Sequence, residues 1–155
     1  MKKNFNLDNK VVLITGAGGI LGFCFSKKLL ENGASIIVSD INKKLLKVRY
    51  KELLSKYEHK ILICKCDVTK PLEIDKMIKE STNRFESIDV LVNNAASKSK
   101  NFKSFFAKFE DYKLNQWKEI MEVNINGMFN VAQKVGTFMV KQNTGGSIIQ
   151  IASIQ

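Results

Sequence analysis

Arginine is nearly missing from this sequence: of its 25 basic residues only Arg49 and Arg84 are arginines, the rest being lysines. The formal charge of +10 would suggest a nucleic-acid partner, but base readout relies on arginine forks. The lysines are scattered along expected helices and loops and form no basic stripe, so they read as solvated faces and no nucleic-acid partner is expected. Histidine is single, His59, and there are three cysteines, Cys24, Cys64 and Cys66. An odd cysteine count without zinc-ligand spacing implies neither a disulfide framework nor a metal site. The thiols are expected to be reduced and packed in the core of a cytoplasmic protein. No apolar run reaches the roughly 18 residues that a membrane helix needs. The basic start, MKKNFNLDNK, leads into a short strand-like VVLIT with no small-residue cleavage site, unlike a secretory signal. Nothing repeats at a fixed period.

What is present is a regular alternation. At 155 residues, 45% hydrophobic and 26% charged, the chain has room for one domain with a real core, spanning 1–155. KVVLIT (10–15), ASIIVSD (34–40), KILICKCD (60–67), IDVLVNN (88–94) and SIIQIAS (147–153) read as buried strands. Between them lie a helix ending at Asn32–Gly33, a helix over 42–57, and one led by Thr69 as cap and Pro71, with Ile74, Ile78, Ser81 and Phe85 on one face. A long helix from about Asn115 to Gln142 has an apolar stripe of Trp117, Met121, Ile125, Met128, Ala132, Val135 and Met139. Strict β-α-β alternation with apolar strands means a parallel sheet covered by helices on both faces.

The first strand-to-helix turn is TGAGGILG, residues 15–22. A phosphate-binding turn needs glycines to make a tight bend, to let backbone amides approach a pyrophosphate, and to let the helix pack on its strand. The helix N-terminus adds unpaired N–H groups and partial positive charge. A glycine cluster alone is weak, but this one follows a strand and opens a helix in a βαβ unit. Gly16, Gly18, Gly19, Ile20 and Gly22 are therefore the candidate cofactor-binding turn. The second strand ends in Asp40, where a carboxylate accepts from adenosine ribose hydroxyls and repels a 2′-phosphate. NAD is expected over NADP, with Lys43 and Lys44 close by as the counter-argument.

In order and spacing, TGAGGILG, Asp67-Val68-Thr69, VNNAA (92–96), Val123-Asn124 and GGSIIQIAS (145–153) resemble the short-chain dehydrogenase/reductase pattern. The resemblance runs from about Asn9 to Ser153. It implies a doubly wound, Rossmann-type parallel sheet of order 3-2-1-4-5 and oxidoreduction of a hydroxyl or carbonyl on a small-molecule substrate with NAD(P). It places the catalytic asparagine at Asn124 and the catalytic serine at Ser153, with Asp67 and Val68 framing the adenine and Asn94 and Ala95 lining the cofactor path. Asn124 has support of its own. VNING places two asparagines and a glycine inside a long helix, where each is unfavourable, and such a conflict is expected at a kink or functional site. The flavour of TGAGGILG with FEDYKLNQWKEIMEVNINGMFN (109–130) is similar to dehydrogenases of bacterial polysaccharide and flagellin-glycan biosynthesis. That similarity implies a sugar-type substrate, and the family implies a homo-oligomeric full-length form.

Two departures stand out. Ile20 stands where the pattern has glycine, so the turn reads equally as T-G-x-x-G-x-x-G, the spacing of the extended branch; VNNAA is the standard branch's motif. The family's Tyr-x-x-x-Lys is absent: Tyr50, Tyr57 and Tyr112 are followed four residues later by Leu54, Ile61 and Gln116. In the family that motif comes after the serine. The expectation is a Rossmann domain cut short after strand five, inactive by itself, with a non-catalytic nucleotide-binding protein or an inactive gene remnant as the alternative.

Overall fold

The computed structural model describes residues 5–98 and 106–152. Strands β1 (Val11–Thr15), β2 (Ser35–Asp40), β3 (Ile61–Lys65), β4 (Val90–Asn93) and β5 (Ser147–Gln150) form one parallel sheet of order β3-β2-β1-β4-β5, as the sequence implies. The helices are α1 (Ile20–Glu31), α2 (Lys43–Arg49), α3 (Lys51–Tyr57), α4 (Pro71–Phe85), α5 (Leu114–Met121) and α6 (Met128–Lys141). A π-helical segment, Glu122–Gly127, joins α5 to α6.

Successive side chains of a strand point to opposite faces, and here the two sets build two cores. Leu13, Ile37 and Leu91 pack with Ile74 and Met77 of α4 and with Val131, Val135 and Met139 of α6. Val12, Ile14, Ile36 and Val38 pack with Leu30 of α1 and with Leu46 and Tyr50. All five residues of β1 are buried. A strand covered on both faces cannot alternate polar with apolar, which is why VVLIT is apolar almost throughout.

Several expectations need correction. The helix over 42–57 breaks at Tyr50, which leaves α-helical geometry (φ −92°, ψ 5°) to turn its ring inward. Thr69 does not cap α4: Lys70 occupies that position, and the Thr69 hydroxyl donates instead to Asp67 Oδ1 at 2.7 Å. The apolar face of α4 includes Met77, which is more buried than Ile78 or Phe85. The long helix contains the π segment, whose wider turn shifts the register between its two halves. Trp117 and Ile125, expected in the stripe, are 52% and 57% exposed, and the buried positions are Gln116, Ile120, Gly127, Val131, Val135 and Met139. Cys64 and Cys66 lie in the core as expected, but Cys24 on α1 is exposed. All four residues of β5 are exposed: among the described residues only β4 pairs with it, and α6 reaches it only in part, where Gly136 lies against Ile148.

Candidate dinucleotide-binding site

In a parallel sheet every strand delivers its carboxyl end to one edge, and ligands bind where the strand order reverses. Here the reversal falls between β1 and β4. The glycine turn follows β1, Asp40 closes β2, Asp67 and Val68 follow β3, and Asn94 and Ala95 follow β4. Four loops distant in sequence therefore meet at one edge.

The glycines of the turn are fixed by space. Gly16 has φ +62°, and a Cβ there would stand 2.8 Å from Ala95 Cα, so both conformation and proximity require glycine. At Gly22 a Cβ would lie 2.6 Å from the Gly16 carbonyl oxygen and 2.7 Å from Ala17 Cα, backbone atoms that cannot swing aside. Gly19 caps α1 without any side-chain hydrogen bond, leaving first-turn N–H groups for an anion. Ile20 is 76% exposed. Its side chain stands clear of the turn, which explains why this departure from the glycine pattern costs the fold nothing.

Asp40 leans over the turn. Its Oδ2 accepts from the Gly18 N–H at 3.0 Å and its Oδ1 from the Asn42 N–H at 2.9 Å. Asn42 caps α2 by accepting from the Leu45 N–H at 3.0 Å, a role the sequence reading did not assign. Asp67 is engaged locally: Oδ1 accepts from the Thr69 N–H and hydroxyl, while the Asp67 N–H donates to Glu73 Oε2. Val68 is buried, and a Cβ on Gly127 would lie 2.7 Å from its Cγ2. The loop after β3 thus packs directly on the π segment.

Two residues missed in the sequence organise the junction of β1 and β4. The Thr15 hydroxyl donates to Asn93 Oδ1 at 3.1 Å and accepts from the N–H groups of Asn94 and Ala95 at 3.0 and 3.1 Å. Asn93 Nδ2 donates to the Met128 carbonyl at 2.8 Å, tying β4 to the first residue beyond the π segment. Asn94 Nδ2 reaches the carbonyls of Thr15 and Gly16, so this side chain holds the turn. The available signal was the polarity of Asn93 and Thr15 in otherwise apolar strands, since a buried polar group needs partners.

Asn124 lies in the π segment, where the sequence anticipated a break. Its Oδ1 accepts from the Ser97 N–H at 2.7 Å and its Nδ2 donates to the Ser97 carbonyl at 3.1 Å, pinning the loop after β4. Ser153 lies outside the described residues. Tyr50 is no proton donor for this crevice. Burial pushes its hydroxyl up to about 12, and its contacts lie beneath the turn.

A parallel sheet of order 3-2-1-4-5 flanked by helices, with a glycine turn after β1 and an acid closing β2, defines a Rossmann-like α/β domain. The family model described as short chain dehydrogenase matches residues 10–155, and the chain belongs to that family. An uncharacterized oxidoreductase of Staphylococcus epidermidis is 33% identical over 145 residues, covering 94% of this chain and 58% of that protein. The structure of an NAD+-bound xylitol dehydrogenase superposes with a TM-score of 0.83 at 31% identity, covering 97% of this chain and 55% of that one. A Burkholderia cenocepacia gluconate 5-dehydrogenase in complex with NADP and tartrate gives 0.82 at 30% identity, with 97% and 56% covered. The chain therefore spans a little over half the length of these relatives. Among the described residues no helix is long and apolar enough to cross a membrane, and no three or more His, Cys, Asp or Glu side chains are grouped to hold a metal ion.

Proposed function

We propose that this chain is the cofactor-binding part of a cytoplasmic, NAD-dependent oxidoreductase that interconverts a hydroxyl and a carbonyl on a sugar-type substrate, and that its full-length form is a homo-oligomer. The observation that carries the cofactor preference is the Asp40 carboxylate, held by the Gly18 and Asn42 N–H groups at the end of β2. A negative charge there accepts from ribose hydroxyls and opposes a 2′-phosphate. The glycine turn and the uncapped N-terminus of α1 suit a pyrophosphate. Val68 and Asp67 border the adenine side, and Asn94 and Ala95 the path toward the nicotinamide, which carries the hydride when bound. Asn124 and Ser153 are assigned the family's catalytic positions. The sugar-type substrate rests on the TGAGGILG and FEDYKLNQWKEIMEVNINGMFN similarity and on the sugar-derived substrates named for the two solved dehydrogenases.

A second reading is a non-catalytic nucleotide-binding protein; no Tyr-x-x-x-Lys occurs in these 155 residues. Proton transfer by such a group contributes on the order of 10²–10⁴-fold, so both readings expect no measurable turnover from this chain alone. Calorimetry with NADH and NADPH tests the cofactor assignment. NADH is expected to bind tighter by on the order of tenfold, about 1.4 kcal/mol, and Asp40→Ala to narrow the gap. Equal affinities in the wild-type chain would refute the role given to Asp40.

A further inference from the structure

Tyr50 is among the largest side chains fully shut off from solvent, yet its hydroxyl is surrounded by oxygens. It lies 3.1 Å from the Ala17 carbonyl oxygen and 2.6 Å from Ser26 Oγ, which in turn lies 2.8 Å from the Gly22 carbonyl oxygen. Three short contacts share only two hydroxyl protons. The Gly22 carbonyl is inside α1, where the backbone N–H of Ser26 serves it in the i to i+4 ladder. The Ala17 carbonyl precedes the helix, and among the described residues Tyr50 is its hydrogen-bond donor. The arrangement that leaves no buried oxygen bare has Ser26 donating to Tyr50 and Tyr50 donating to Ala17. Phe23 meets the Tyr50 ring edge-on at 5.2 Å and 85°, so the ring has little freedom to turn away.

The Ala17 carbonyl is one end of a peptide plane whose other end is the Gly18 N–H, the donor to Asp40 Oδ2 at 3.0 Å. We infer that Tyr50 is a positioning and specificity-determining residue of the cofactor site: it fixes the Ala17–Gly18 peptide plane from below and so holds the Asp40 carboxylate where it selects the nucleotide ribose. A hydrogen bond on the carbonyl also polarises the amide and strengthens donation by its N–H. Without it Asp40 keeps one firm anchor, the Asn42 N–H, and the carboxylate swings. This inference rests on the reading of Asp40 under Proposed function. The tyrosine carries it alone. Ser26 only steadies the tyrosine, and removing Ser26 leaves the bond to Ala17 in place.

The test compares NADH and NADPH affinities of the wild-type chain with those of Tyr50→Phe, Ser26→Ala, Asp40→Ala and the Tyr50→Phe/Asp40→Ala pair. Tyr50→Phe is expected to narrow the NADH preference by roughly three- to tenfold, the span of one net hydrogen bond. Ser26→Ala should keep the preference, and Tyr50→Phe should change nothing further once Asp40 is gone. An unaltered preference in Tyr50→Phe, even with a lower melting temperature, would make Tyr50 a core residue and overturn the inference. Loss of the NAD reading looks different: there the wild-type chain shows no preference, or Asp40→Ala leaves it intact. Amide hydrogen exchange at Gly18 in the cofactor-free wild-type chain decides the geometry independently, including where Tyr50→Phe does not fold. Slow exchange supports the clamp, and exchange at the rate of an open loop refutes it.

Discussion

Replacing Thr15 by valine isolates one hydroxyl at the centre of the molecule. Thr15 ends β1 and is fully buried; valine keeps its β-branch, volume and strand preference. A hydroxyl offers one donor and two acceptor sites, and all three are used, toward Asn93 Oδ1 and the N–H groups of Asn94 and Ala95. Valine orphans all three partners. A buried group left unsatisfied costs about 1–3 kcal/mol, and the two N–H groups lie in half-buried residues where water recovers part of that. The expected destabilisation is roughly 3–5 kcal/mol, a large share of the about 5–15 kcal/mol that domains possess. With a urea slope of about 1–3 kcal/mol/M, the midpoint should fall by on the order of 2 M. Urea unfolding at submicromolar concentration, followed by far-ultraviolet circular dichroism and Trp117 fluorescence, measures it. Thr15→Ser keeps the hydroxyl and loses one methyl, a cost of about 1 kcal/mol. The reasoning is refuted if valine costs less than serine, or if it costs under about 1 kcal/mol, the size of one net hydrogen bond.

Two further outcomes are expected. Burial pushes the thiols of Cys64 and Cys66 from an ordinary value of 9.0 up to about 12. The folded state therefore holds protons that the unfolded chain releases above pH 9.0, and this contribution to stability is lost as pH rises from there toward 12. Stability measured across that window should fall, and in thiol titration of the native chain Cys24 should react alone until denaturant is added; three equally fast thiols would contradict the packing. The β5 strand presents Ile148 and Ile149 at 40% and 49% exposure beside an edge unpaired among the described residues. Such edges recruit other strands, so this 155-residue chain should self-associate or pack loosely, and Ile149→Lys should raise the monomer fraction in size-exclusion chromatography. A sharp wild-type monomer peak with a cooperative melt and strong near-ultraviolet signal would count against it.

The strands, their parallel arrangement and the glycine turn were legible in the chain itself through apolar runs, β-α-β alternation and a glycine cluster, while the order 3-2-1-4-5 came with the family resemblance. A strand buried on both faces must be apolar almost throughout, and a turn pressed against Ala95 and a helix pressed against Ala17 must use glycine at 16 and 22. The conflict of asparagines and glycine with helix in VNING marked the π segment for the same reason. Contacts between segments distant in sequence left no such mark. Nothing local shows that Tyr50 breaks a helix to reach the Ala17 carbonyl, or that Asn93 serves the Met128 carbonyl. The helical stripe misled at Trp117 and Ile125 because the π turn resets which residues face the sheet, and a periodicity count assumes one constant turn. The identity of the turn belongs to the sequence. How its amides are aimed is decided by a tyrosine 33 residues away, because a peptide plane takes its orientation from whatever holds both of its ends.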